Sequence, residues 1–265
     1  MSNQNNKRIA KKTLLLYFRM LFMMVVSLYT SRVILNALGV EAFGIYNVVG
    51  GVVAMFSVIS GSLSAAISRF ITYELGKGDQ SKLNKIFSAS VTIQLLLSLI
   101  TVGLIESVGV WFLNSKMTIP AERMVAANWV LQLSIVTFVI NLISVPYNAA
   151  IIAHEKMSTF AFMSIFEKVA KVEVLFLLIF IPGDKLIIYS ALLLGVSAIN
   201  ISVYRIYCIR KFPECKFSLK VNRELLKEMV KFSGWSVVAN VFQVGNSQGV
   251  SILLNIFFST LVNAA

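Results

Sequence analysis

Seven long windows of this 265-residue chain are nearly free of charge, and charged clusters separate them. The first covers about 13–35 and is interrupted by Arg19 and Arg32. The second lies between Glu41 and Arg69, and the third runs from Ile86 to about Leu113 with Glu106 near its far end. The fourth lies between Arg123 and His154. The fifth, Met157 to Ile181, carries charges at its centre. The sixth lies between Lys185 and Arg205, and the seventh follows Lys231. A bilayer span needs about 20 apolar residues. Backbone in lipid must satisfy its own hydrogen bonds, so windows of this length are predicted to be helices. The fold class expected is an all-α polytopic membrane protein.

Composition agrees with the pattern. Hydrophobic residues make up 57% of the chain and charged residues 14%. Soluble domains carry about 45–50% and about 25%, so a soluble enzyme is excluded, and so is disorder. The net charge of +12 points to nucleic acid in a soluble protein, but here no nucleic-acid motif accompanies it. The basic residues instead fall between spans. With the N-terminus in the cytosol, eighteen lie on inner segments and four (Arg32, Lys116, Arg123, Lys185) on outer ones. That asymmetry predicts an N-inside, multi-pass protein. Lys7, Arg8, Lys11 and Lys12 precede the first window as in a signal peptide. The apolar stretch that follows exceeds the usual h-region of about 7–15 residues and has no small-x-small cleavage site, so it reads as an uncleaved helix. Cys208 and Cys215 lie in the most basic loop and are expected to be reduced, incidental thiols.

The outer loops expected are short: about 36–42, 114–123 and 182–186. The stretch 222–232 carries Leu225, Leu226, Met229 and Val230 at helical spacing. It reads either as a helix lying on the inner leaflet or as a solvated connector. A weak repeat pairs Val33–Asn36 with Ile252–Asn255, and Lys12 with Lys231, at one offset of 219. The organisation expected is therefore a basic N-terminus (1–12), a six-helix lobe (13–209), a basic linker (210–231) and the first helix of a second lobe (232–265). On that reading the chain is a fragment of a protein about twice as long.

The fifth window holds the most informative residues. A charge at a helix centre costs about 2.5–3.5 kcal/mol to insert, so Glu167, Lys168, Lys171 and Glu173 are not expected to face lipid. Glu167 and Lys171 are spaced i,i+4 and can pair. At about 100° per residue, 167, 168 and 171 share a face and 173 points elsewhere. That face either lines a polar cavity or forms a self-compensating ion-pair cluster between helices. Arg32 and Arg69 either face the same cavity or snorkel to headgroups. Asn141 can hydrogen-bond across helices. Pro146 frees a backbone carbonyl and marks either a moving kink or a static bend. Ser57, Gly61 and Ala65, with Ser60, Ser64 and Ser68, form small-residue faces for close packing, and Gly50-Gly51 is either a pivot or part of that packing. His154 reads as a loop residue, since metal binding needs more ligands than surround it. No P-loop, H-E-x-x-H or G-x-S-x-G occurs, so no enzyme is expected.

Three blocks carry a family resemblance. They are Ser31 to Tyr46 across the first outer turn (SRVILNALGVEAFGIY), Ser68-Arg69-Phe70, and Pro146-Tyr147-Asn148 with Ile151 to Met157 (IIAHEKM). On these the chain resembles the N-terminal part of a bacterial polysaccharide or O-antigen flippase of the multidrug/oligosaccharidyl-lipid/polysaccharide exporter superfamily. The resemblance implies two six-helix lobes around a cavity with alternating access, in the bacterial inner membrane. It implies an undecaprenyl-pyrophosphate-linked oligosaccharide as cargo, for lipopolysaccharide or another surface polysaccharide, and coupling to a proton or sodium gradient. No other cofactor is expected. Arg32, Lys168 and Lys171 would hold the phosphates, with Glu167 competing for Lys171. A drug or metabolite exporter of the same superfamily, or a non-transporting membrane scaffold, are the rival readings.

Overall fold

The apolar windows become helices in the computed structural model: α1 (Ser2–Ala54), α2 (Ser57–Lys77), α3 (Gln80–Leu104), α4 (Val110–Lys116), α5 (Met124–Ala153), α6 (Met157–Phe180) and α7 (Lys185–Lys211). A π-helical turn, Ile105–Gly109, joins α3 to α4. The structure describes residues 2–54, 57–116, 119–218, 223–232 and 234–235, and no strand occurs among them. Four helical runs within these residues are long and apolar enough to cross a membrane: Thr13–Asn47, Gln80–Ser115, Ala121–Ala153 and Lys185–Lys211. α6 is not among them, and it carries the four central charges. The predicted seventh span, the partner half of the 219-residue repeat, and the side chains of Ser57, Ser60 and Gly61 lie outside what is described.

Gly39 turns the chain back inside α1. It takes φ 82° and ψ 165° between two helical arms, a backbone open almost only to glycine. The expected loop 36–42 therefore shrinks to one residue. Side-chain partners trace the reversal. Arg19 meets Ser164 near the start of α6, and Ile34 shares a cluster with Leu178 near its end. Past Gly39, Glu41 lies 3.9 Å from Arg123, and Ile71 packs with Ala150 at the opposite end. One end of the bundle thus gathers the starts of α1, α3 and α6 with the ends of α2, α5 and α7. We call it the basic end, after the lysines and arginines that crowd it.

Local chemistry sets the other turns. Gly78 ends α2 with φ 77°, and Asp79 caps α3 by accepting from the Lys82 N–H at 3.0 Å. Asp184 caps α7 through the Leu186 N–H at 2.9 Å and takes a 3.0 Å ion pair from Arg123. Such caps satisfy backbone donors that a helix start leaves open. Pro146 lies buried within α5, which is helical from Met124 to Ala153.

The linker does not behave as an inner-leaflet helix. Residues 223–232 are helical, but Met229 is buried and Leu225 and Leu226 pack on the core formed by Ile71, Phe87, Tyr147 and Cys208. Only Val230 of the predicted stripe is exposed. An amphipathic stripe is covered equally well by protein as by lipid, and here protein covers it. His154 is likewise more than a loop residue. Its ring pairs with Glu214, which is 2% exposed, and stacks on Phe212 at 4.0 Å. Gln80 Nε2 donates to the same carboxylate at 3.0 Å. Asn84 Nδ2 donates to the carbonyls of Glu214 and Lys216. The stretch beyond α7 is thus tied onto the helical bundle. Burial alone would raise the Glu214 carboxyl, but hydrogen bonds from His154, its own backbone and Gln80 hold it below the ordinary range.

Candidate functional site

A cavity of about 420 Å³ opens among α1, α5, α6 and α7. α1 presents Ser27, Thr30, Ser31 and Ile34, which recur at helical spacing on one face. The Thr30 hydroxyl donates to the Val26 carbonyl at 2.6 Å and Ser31 to Ser27 at 3.0 Å. These back-bonds let hydroxyls sit on an apolar helix while their lone pairs still face the cavity. The returning arm of α1 adds Phe43, Tyr46 and Asn47, α5 adds Thr137 and Asn141, and α7 adds Tyr189, Leu193 and Ser197. Tyr46 and Tyr189 meet edge to face at 5.1 Å. A smaller cavity of about 210 Å³ adjoins it and shares Tyr46, Thr137, Asn141 and Leu193, with Gly50 on its wall.

α6 supplies the charge. Lys168 and Lys171 line the larger cavity, and among the described residues no Asp or Glu lines it. Lys171 Nζ donates to Glu167 Oε1 at 2.5 Å. Lys168 has no ion pair among the described residues. Glu167 opens instead onto a separate cleft of about 230 Å³ between α6 and α7, with Glu173 and Asn200. Asn200 Nδ2 donates to Glu167 Oε2 at 2.9 Å, and its own Oδ1 is buried without a partner. The larger cavity therefore offers two ammonium groups, several hydroxyls and amides, and two phenols. That set matches an oxygen-rich anion and its polar attachments.

The predicted residues divide accordingly. Lys168, Lys171 and Asn141 come together on the cavity wall. Glu167 stands behind it, because a face spanning about 100° of a helix can be split by one neighbouring helix. Arg32 is exposed and absent from the lining. Arg69 is also exposed, with its guanidinium 4.8 Å from the Phe232 ring centre, far along α2 from the cavity. Single basic residues near helix ends carry no periodicity that says which way they point. The stripe Ser27–Thr30–Ser31 and the mid-span Asn200 were readable signals that charge-based reading passed over.

The fold has counterparts among solved structures. A solved structure of a MATE mutant superposes with a TM-score of 0.77 at 13% identity, over 96% of this chain and 58% of that one. An outward-facing multidrug resistance MATE family transporter of the MOP superfamily gives 0.73 at 14%, over 92% and 54%. A MOP superfamily transporter from Pyrococcus furiosus gives 0.68 at 14%, over 92% and 54%. These likenesses are of fold. In sequence, the chain is 27% identical over 237 residues to an uncharacterized membrane protein, EpsK, of Bacillus subtilis (strain 168), over 87% of this chain and 44% of that protein. The chain thus spans about half the length of the relatives it matches. The family described as polysaccharide biosynthesis protein matches residues 9–263, nearly the whole sequence, and this chain belongs to that family.

Proposed function

We propose that the chain is one lobe of a carrier that flips a lipid-linked oligosaccharide across the bacterial inner membrane for surface polysaccharide synthesis. The observation that carries this is the cavity wall with Lys168 and Lys171 and, among the described residues, no acid. Charge-assisted hydrogen bonds from ammonium groups suit a pyrophosphate, and the neighbouring hydroxyls and amides suit the first sugars. The polyprenyl tail stays in lipid beside the lobe. The basic end faces the cytosol, in keeping with the positive-inside trend. Rocking against a second lobe switches access. Glu167 trades Lys171 for a proton or sodium ion as the phosphate leaves. A carrier of cationic drugs would be poorly served by two lysines on this wall, which disfavours the multidrug reading.

The test is Lys171→Ala in the intact protein, with export of lipid-linked glycan measured in cells and in proteoliposomes. Export should fall to background while protein level and melting temperature hold. Normal export by that variant refutes the assignment.

A further inference from the structure

Arg19 is a half-buried cation outside the cavity lining. It sits on α1, where its Nη1 donates to Ser164 Oγ at 3.2 Å. Its guanidinium lies 4.7 Å from the centre of the Phe160 ring. Its Nε is buried without a hydrogen-bond partner, and no acid pairs with it among the described residues. Ser164 is already engaged, donating to the Phe160 carbonyl at 2.8 Å and bonded to Tyr204. One neutral hydroxyl and a ring face are weak compensation for a desolvated charge. A buried donor left over on a guanidinium is chemistry that awaits an anion.

Its partner Ser164 stands in line with the cavity lysines. Ser164, Lys168 and Lys171 follow one another along α6 at helical spacing. At about 1.5 Å per residue, Ser164, which holds Arg19, lies about 6 Å from Lys168 and about 10 Å from Lys171 along the axis, nearer the basic end. We propose that Arg19, held by Ser164 and Phe160, is a second anion site: a loading station that takes a phosphate or pyrophosphate group before it reaches Lys168 and Lys171. This rests on the carrier reading above. Phe160 fixes the plane of the guanidinium, and Ser164 Oγ occupies a position that a phosphate oxygen would take. An arriving phosphate displaces that hydroxyl and gains two parallel N–H···O bonds from the fork. The headgroup then moves on to the lysines, which keep it through the access switch. A loading station governs how readily cargo is captured, while the lysines govern how fast it is carried.

The experiment uses the intact protein in nanodiscs and proteoliposomes. The variants are Arg19→Gln, Arg19→Lys, Ser164→Ala and Lys171→Gln. The probes are undecaprenyl pyrophosphate, inorganic pyrophosphate and phosphatidylglycerol. Arg19→Gln should weaken undecaprenyl pyrophosphate binding about tenfold and raise KM, with the maximal rate within about twofold. Arg19→Lys should recover part of the loss. Ser164→Ala frees the guanidinium and should tighten binding by about threefold or more. Lys171→Gln should lower the maximal rate. Arg19-dependent binding of inorganic pyrophosphate assigns recognition to the phosphate alone; dependence seen only with undecaprenyl pyrophosphate assigns it to the lipid carrier. Either supports the station. Equal competition by phosphatidylglycerol overturns it, as a general anionic-lipid contact. So does unchanged binding by Arg19→Gln when Lys171→Gln is impaired; if neither variant is impaired, the carrier reading itself fails. Should Arg19→Gln not fold, Ser164→Ala decides: unchanged or weaker binding overturns the station.

Discussion

Lys171 and Glu167 are joined by a hydrogen-bonded ion pair one turn apart on α6, yet they open onto different spaces. The lysine reaches the cavity among α1, α5, α6 and α7, while the glutamate faces the α6–α7 cleft with Asn200. The ammonium is partly neutralised from behind, and the wall it presents stays free of carboxylate. On the proposed carrier function, a substrate anion would approach Lys171 without displacing an acid from the cavity, and Glu167 would reclaim the lysine when the anion leaves. Placing the counter-ion outside the binding space limits the insertion cost of the lysine without repelling cargo.

Removing that counter-ion should strengthen holding and weaken release. Glu167→Gln keeps an acceptor for Asn200 and Lys171 but deletes the charge. Affinity for the lipid-linked pyrophosphate should rise by about tenfold, as expected for one charge-assisted bond no longer in competition, while the maximal export rate falls. Binding isotherms and initial rates on one preparation check this. A faster maximal rate with unchanged affinity would show that Glu167 has no part in release.

Thiol labelling should separate the wet wall from the lipid face. Ser31→Cys, on the cavity, should react with a membrane-impermeant maleimide. Phe176→Cys, on the exposed apolar face of α6, should not in a bilayer. The background is silent, since Cys208 and Cys215 are both buried. The hydrogen bond that the Cys215 thiol makes to Cys208, together with burial, also pushes that thiol up, so it stays protonated. Equal labelling at the two positions would mean that no water-filled cavity exists.

Hydropathy exposed the spans because lipid leaves the backbone no partner but itself, and that constraint acts on every residue of a span. The charges of α6 were legible for the same reason, as an expense that something must offset. The partner of each charge was not legible. Glu167 and Lys168 are adjacent in sequence, and the placement of α7 alone sends one to the cleft and the other to the cavity. Arg19 counted with the basic residues of the N-terminal end, and nothing in its neighbours says that it turns inward to Ser164, 145 positions away. His154 and Glu214 are separated by 60 positions, so each read alone looks like loop. Pairings of this kind come from helix packing, which hydrophobic periodicity leaves open.

The Glu214 knot should carry measurable stability. Glu214→Ala removes partners from His154 and Gln80 in a buried place, and hydrogen bonds to a buried charge contribute about 1.5–3 kcal/mol each. A loss of about 2–4 kcal/mol is expected, read as a lower melting temperature in detergent. The pH dependence has a defined sign. The folded carboxyl sits below its ordinary value, so its contribution is full above the ordinary carboxyl range and is lost as pH falls through the folded value. Melting temperature should hold from neutral pH to about 5 and drop below that, and Glu214→Gln should blunt the drop. A knot variant with unaltered melting would show that the linker is held elsewhere.

Gly39 should tolerate no side chain, for backbone reasons alone. An added Cβ there would meet nothing within 4 Å, so packing does not forbid alanine. The φ of 82° with ψ 165° does, since this region costs a residue with a Cβ about 1–3 kcal/mol. Gly44 is the control. It also has open space around a Cβ but lies in a helical arm, where replacing glycine by alanine gains up to about 1 kcal/mol. Gly39→Ala should therefore lower the melting temperature, while Gly44→Ala holds or raises it. The reversal at Gly39 also sets how the Ser27–Ser31 stripe faces Tyr46 and Asn47 across the cavity. Gly39→Ala should accordingly reduce labelling of Ser31→Cys as well as stability, whereas equal behaviour of the two glycine variants would show that the turn does not depend on that backbone.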